Sequence, residues 1–126
     1  LLLRKFMSLV GIGSAKIDLI LEKETYTPGE QITGYFLLKG GLIDQQLKRI
    51  DCDLVKVENG TEHIVDSTSI LTSRSLESEA SNKIPFSFIL PTSLQISTED
   101  ISYRFKTRLT FTEGVESLDQ DIIQIV

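Results

Sequence analysis

Asp51 and Asp53 stand two residues apart, and so do Asp119 and Asp121. Side chains alternate along a strand, so each pair would present two carboxylates on one face. Such pairs could hold a calcium ion or divide the work of general acid and base. Neither pair sits in an Asp-x-Asp-x-Asp-Gly loop, and a solvated sheet face explains both without chemistry. His63 is the only histidine and Cys52 the only cysteine. Together they supply too few ligands for structural zinc, and their spacing is not that of a Cys–His dyad. Gly11-Ile12-Gly13-Ser14 lacks the third glycine and preceding strand of a dinucleotide fingerprint, and the Gly-Lys-Ser/Thr end of a phosphate loop. Asn59-Gly60-Thr61 fits a glycosylation sequon, but a turn explains Asn-Gly fully. No catalytic residue, metal ligand or cofactor is assigned on these residues.

Arg104, Lys106 and Arg108 form a basic stripe at a spacing of two. They either pair with acids on adjacent strands or receive an acidic peptide or phosphorylated partner, since arginine forks suit those groups.

The elements that must carry these side chains read as strands. Lys16–Glu22 alternates Ile17, Leu19 and Leu21 against Asp18, Ile20 and Glu22. Pro28-Gly29 reads as the centre of a type II turn within Lys23–Glu30. Gln31–Lys39 puts Ile32, Phe36 and Leu38 on one face, and Gly34 on that face predicts a bulge or a close backbone approach. Leu47–Glu58 switches its apolar face between Leu54 and Val55, which predicts a bulge or a strand running past the core. Asn59-Gly60 predicts a tight hairpin to Glu62–Leu71. Ser67–Asn82 is rich in Ser and Thr, and its second half is expected as a mobile surface turn. Lys83–Leu90 turns Ile84, Phe86, Phe88 and Leu90 inward, with Pro85 outward. Ile101–Thr112 turns Tyr103, Phe105, Leu109 and Phe111 inward, and Asp121–Val126 closes the chain. About seven strands without crossover helices predict sequential antiparallel pairing in two packed sheets.

Residues 1–10 are the one predicted helix, with Leu2, Leu3, Phe6 and Leu9 on one side and Arg4, Lys5 and Ser8 on the other. It is expected to pack on the sheet's rim or on a second subunit, giving a possible homodimer. A membrane contact is disfavoured by its length. Strands 31–39 and 83–90 carry few charges, so either could pair with another chain if it forms an edge.

The 126 residues suit one domain. Thirteen basic against eighteen acidic residues leave a net charge of −5, which disfavours nucleic acid. Aromatics are sparse, so the core is expected to be mostly aliphatic. A lone cysteine fits a reducing cytoplasm. The start at Leu1 suggests that a few residues precede it.

The segment VGIGSAKIDLILEKETYTPGEQITGYFLLKGG, residues 10–41, resembles the opening of the stage-zero sporulation protein M family of spore-forming bacteria. The matching positions are Val10-Gly11-Ile12-Gly13, Lys16, Asp18, Leu21, the Tyr26-x-Pro28-Gly29-Glu30 turn, Gly34 and Gly40-Gly41. KIPFSFILP, residues 83–91, and TRLTF, from Thr107, are similar to later strands of that family; residues 42–82 match only in pattern. The resemblance implies an arrestin-like (immunoglobulin-like) antiparallel β-sandwich over residues 11–126, as the amino-terminal part of a longer protein. It further implies a cytoplasmic, non-enzymatic sporulation-control regulator. Its partners would be proteins of unknown identity rather than nucleic acid or a small-molecule substrate. A self-assembling structural module is the alternative, and an enzyme built around Asp51 and Asp53 a more distant one.

Overall fold

A computed structural model describes residues 14–114 and 116–126. The helix expected at residues 1–10, with Leu2, Leu3, Phe6 and Leu9, lies outside them. The described residues form β1 (Lys16–Leu21), β2 (Thr25–Tyr26), β3 (Gln31–Lys39), β4 (Gln45–Glu58), β5 (Thr61–Leu71), β6 (Ser75–Leu76), β7 (Ser81–Ile89), β8 (Ile101–Phe111) and β9 (Glu116–Ile125). The small sheet has the order β1-β3-β7; the large one has the order β2-β9-β8-β4-β5, with β6 on β4.

Two-residue periodicity builds the core between them. Ile32, Phe36 and Leu38 of β3, and Ile84, Phe86 and Phe88 of β7, face Cys52 and Leu54 of β4 and Tyr103, Phe105 and Leu109 of β8. Most of this core is aliphatic, as expected, but its centre is aromatic. The Phe105 ring meets Phe86 at 5.6 Å and Phe88 at 5.3 Å, both edge-on, and Phe36 meets Phe86 at 5.2 Å. Edge-to-face pairs add about 1 kcal/mol each beyond area burial, so these rings tie β3 and β7 to β8.

The pairing is less sequential than expected. β2 joins the large sheet parallel to β9, through Thr25↔Gln124 and Tyr26↔Ile125. The chain therefore leaves the small sheet after β1, borders the large one, and returns as β3. Pro28-Gly29 serves that return: Glu30 N–H donates to the Thr27 carbonyl at 3.1 Å, with Gly29 at φ +83°, the geometry of a type II turn. β9 starts five residues earlier than the Asp121 expected. The segment expected as a mobile turn carries β6, because Leu76 is buried against the core. Strand 31–39 lies in the middle of its sheet, so it is no edge; β7 is one. Pro85 is exposed on that edge strand, where a missing N–H is tolerated.

The bulge expected in β4 near Val55 lies instead on its partner β5, while β4 keeps an unbroken register against β8 from Arg49 to Glu58. Leu54 faces Asp66 and Val55 faces Ile64, leaving Val65 as the extra residue. Gly34 makes a close approach, though to the neighbouring strand of its own sheet: a Cβ there would lie 2.1 Å from the Ile20 carbonyl oxygen. At the hairpin, Asn59 has φ +50° and Gly60 φ +80°, as a type I′ turn requires. A Cβ on Gly60 would touch nothing within 4 Å. Gly60→Ala should then lose about 1 kcal/mol through backbone strain alone, read as a lower urea midpoint with an unchanged slope.

Candidate partner-binding face

Four strands lay the outer face of the large sheet out as a lattice. Register places Leu118, Arg108, Asp51 and Ser69 in one line across β9, β8, β4 and β5. Gln120, Lys106, Asp53 and Ser67 form the next, and Ile122, Arg104, Val55 and Ile64 the third. The basic stripe is therefore the middle of this face.

Its three cations differ. Lys106 Nζ lies 2.7 Å from Glu62 Oε2 and donates to Oε1 at 2.8 Å; the hydrogen bond from Lys106 holds the Glu62 carboxyl below its ordinary range. Arg108 lies 3.7 Å from Asp51 Oδ2. Arg104 Nη1 donates to the neutral Gln120 Oε1 at 3.3 Å, and its buried Nε has no hydrogen-bond acceptor. Among the described residues, Arg104 is the member of the stripe with no ion pair.

Asp51 and Asp53 do share this face, and each is engaged. Asp51 accepts from Arg49 Nη2 at 2.8 Å and Ser69 Oγ at 2.7 Å. Burial pushes its carboxyl upward, but the bonds from Ser69 and Arg49 and the charges of Arg49 and Arg108 outweigh that, leaving it below the usual value. Asp53 accepts from Ser67 Oγ at 2.6 Å. His63 is exposed on the hairpin opposite Lys56. Cys52 is buried, and burial lifts its thiol to about 12. The two residues serve no common chemistry. Pro28 and Gly29 lie in the turn before β3 and Gly34 within β3, in the small sheet rather than on this face.

A second constellation joins the two sheets on their inner side. Ile17 N–H donates to Ser117 Oγ at 3.3 Å and Leu19 N–H to Asp119 Oδ2 at 2.9 Å. Side chains of β9 thus occupy the free edge of β1, where backbone pairing does not reach. Asp18, Asp119 and Asp121 place carboxylate oxygens within 4.8 Å of one another, the group among the described residues that could hold a metal ion. Asp121 Oδ2 is buried without a hydrogen-bond partner. Burial, then the hydrogen bond that a protonated Asp121 can share with Asp119 and the charge of Asp119, push the Asp121 carboxyl up to about 7. Asp18 is raised by burial and Asp119, against the opposing pull of Lys39. The spacing of Asp119 and Asp121 marks two of the three members in the sequence; nothing local points to Asp18.

Among the described residues, no helix is long and apolar enough to cross a membrane. The family model described as "SpoOM protein" matches residues 3–126. The sporulation-control protein Spo0M of Bacillus subtilis (strain 168) is 33% identical over 128 residues, covering 95% of this chain and 50% of that protein. The crystal structure of Spo0M from Bacillus subtilis superposes with a TM-score of 0.80 at 32% identity, covering 90% of this chain and 50% of that one. The chain thus spans about half the length of the relative it matches. Part of the Pseudomonas fluorescens alkylpurine DNA glycosylase AlkC, solved bound to DNA containing an abasic site analogue, superposes with a TM-score of 0.55. That match has 16% identity and covers 88% of this chain and 30% of the other; it is a likeness of fold alone.

Proposed function

The chain belongs to the SpoOM protein family, and from that membership we propose that it is a non-enzymatic, arrestin-like protein-binding domain of a cytoplasmic sporulation-control regulator. The observation that carries the binding role is the outer face of the large sheet. Leu118 and Ile122 of β9 and Ile64 of β5 stay exposed there around the Arg104–Lys106–Arg108 stripe. Exposed aliphatic residues next to charged ones suit a protein partner better than a small substrate. The separation of exposed His63 from buried Cys52 supports a role without catalysis.

Crosslinking of the tagged protein in living source cells, followed by mass spectrometry, tests this reading. A distinct protein recovered at stoichiometric yield is the expected result. Recovery of the protein's own copies alone would favour self-assembly instead, for which the β7 edge with exposed Ile89 and the β5 edge with exposed Leu71 are available surfaces.

A further inference from the structure

We propose that Arg104, lying between Ile122 and Ile64 on the outer face, receives a carboxylate of a partner segment in which an acidic residue stands between aliphatic ones. This rests on the reading of the chain as a binding domain and names where, and to what, it binds.

Ile122, Arg104, Val55 and Ile64 are successive register neighbours across four strands. Ile122 is 67% exposed and Ile64 65%, while Val55, on the same outward face, is only 3% exposed. The line therefore has a filled apolar floor at Val55 and two bare apolar shoulders. Long cationic side chains cover apolar neighbours with their stems while keeping the head in water, which suits Arg104 beside Val55.

Among the described residues, the cation at the centre has no ion pair of its own, though its charge is felt by Glu62, which Lys106 holds. Arg49 and Arg108 share Asp51, and Lys106 has Glu62. Arg104 has only a long bond to a neutral amide. Its Nε is covered, which leaves the Nη end as the side a ligand can reach. A carboxylate accepts two parallel N–H bonds from such an end, a charge-assisted contact stronger than the amide bond it replaces. The chain's net charge of −5 repels acidic segments elsewhere, so this cation between two isoleucines selects for both features at once. A phosphate backbone would need several free cations in a row, and Lys106 and Arg108 already face carboxylates.

A random peptide library displayed on phage, panned on the purified chain and depleted on Arg104→Gln, tests this. Enriched peptides should carry Asp or Glu between aliphatic residues. Affinity of a selected peptide should fall about tenfold or more in Arg104→Gln, and equally when its acid becomes an amide, the loss expected for a charge-assisted bond. Ile122→Ser should weaken binding several-fold, and Lys106→Gln should weaken it too, because it frees the Glu62 carboxylate to compete for Arg104. Circular dichroism and urea midpoints establish that each variant is folded. Absence of enrichment, enrichment without acidic residues, or unaltered affinity in folded Arg104→Gln would each overturn the site. A cellular partner whose capture survives Arg104→Gln would sink this site and leave the binding reading standing.

Discussion

Alanine at Gly34 is expected to remove about 3 kcal/mol of folding stability, a fall in melting temperature of about 10 °C for a chain of this size. By propensity alone the sign should be the opposite. Glycine inside a strand is entropically unfavourable, and alanine there usually helps by a few tenths to about 1 kcal/mol. The geometry reverses this. An added Cβ would lie 2.1 Å from the Ile20 carbonyl oxygen, 3.1 Å from its carbon and 3.2 Å from Leu21 Cα. All three are backbone, so no side-chain rotation relieves the overlap; β1 has to move off β3. β1 is held otherwise by its buried Ile17 and Leu19 and by two bonds to β9 side chains. The damage should concentrate there, and amide exchange of β1 should rise before that of β8. Gly60→Ala, with nothing near its Cβ, supplies the comparison. A Gly34→Ala protein as stable as Gly60→Ala would mean that the close approach of β1 and β3 does not exist in solution.

Much of the frame that Gly34 supports is legible in the chain's letters, because its signals are local. Ile32, Phe36 and Leu38 alternate over a full strand, and Asn59-Gly60 dictates one turn type; the apolar switch at Val55 only marks an outward valine of β4 beside a bulge that lies in β5. What escapes local reading has a common cause. β2 is two residues long and finds its partner β9 about a hundred residues away, so neither length nor period marks it. The first half of β9 reads inverted. Ser117 and Asp119 turn inward because they bond the N–H groups of β1, while Leu118 stays exposed outside. A pattern search takes inward polar residues for a loop. The basic stripe shows through its spacing of two, yet which cation lacks an ion pair depends on Glu62 and Asp51. The first is brought across by strand pairing and the second is shared with Arg49. That distinction, on which the Arg104 proposal turns, is absent from the sequence of β8.

The inverted half of β9 also sets the pH response. Stability should fall by roughly 2 kcal/mol as pH rises from about 5 to 8, after allowing for the partial access of Asp121 to solvent. Asp119 Oδ2 accepts the Leu19 N–H across the sheet junction, and Asp121 Oδ2 is buried beside it with no donor. Burial first, and Asp119 second, raise the Asp121 carboxyl from 3.8 to about 7; Asp18, facing both from β1, is raised as well, with Lys39 the nearby cation that opposes this. A raised folded-state value means that the native protein binds a proton the unfolded chain has already released. The stabilisation is complete below the unfolded value and disappears as pH rises through about 7. Asp51, Glu30 and Glu62 are shifted the other way. Their contribution is lost only on acidification below the usual carboxylate range, so they do not mask the window. Asp121→Asn, which keeps the shape and supplies a permanent donor, should flatten the profile. It should match the parent near pH 5 and exceed it at pH 8. Urea midpoints across that range decide the matter. A parent profile already flat, or a slope that survives in Asp121→Asn, would show that the junction is closed by something other than this shared proton. The proton's place is dictated by the fold: the Ser117 hydroxyl and Asp119 carboxylate of β9 take up the outer edge of β1, which brings Asp119 beside Asp121 and Asp18, and carboxylates this close cannot all stay ionised.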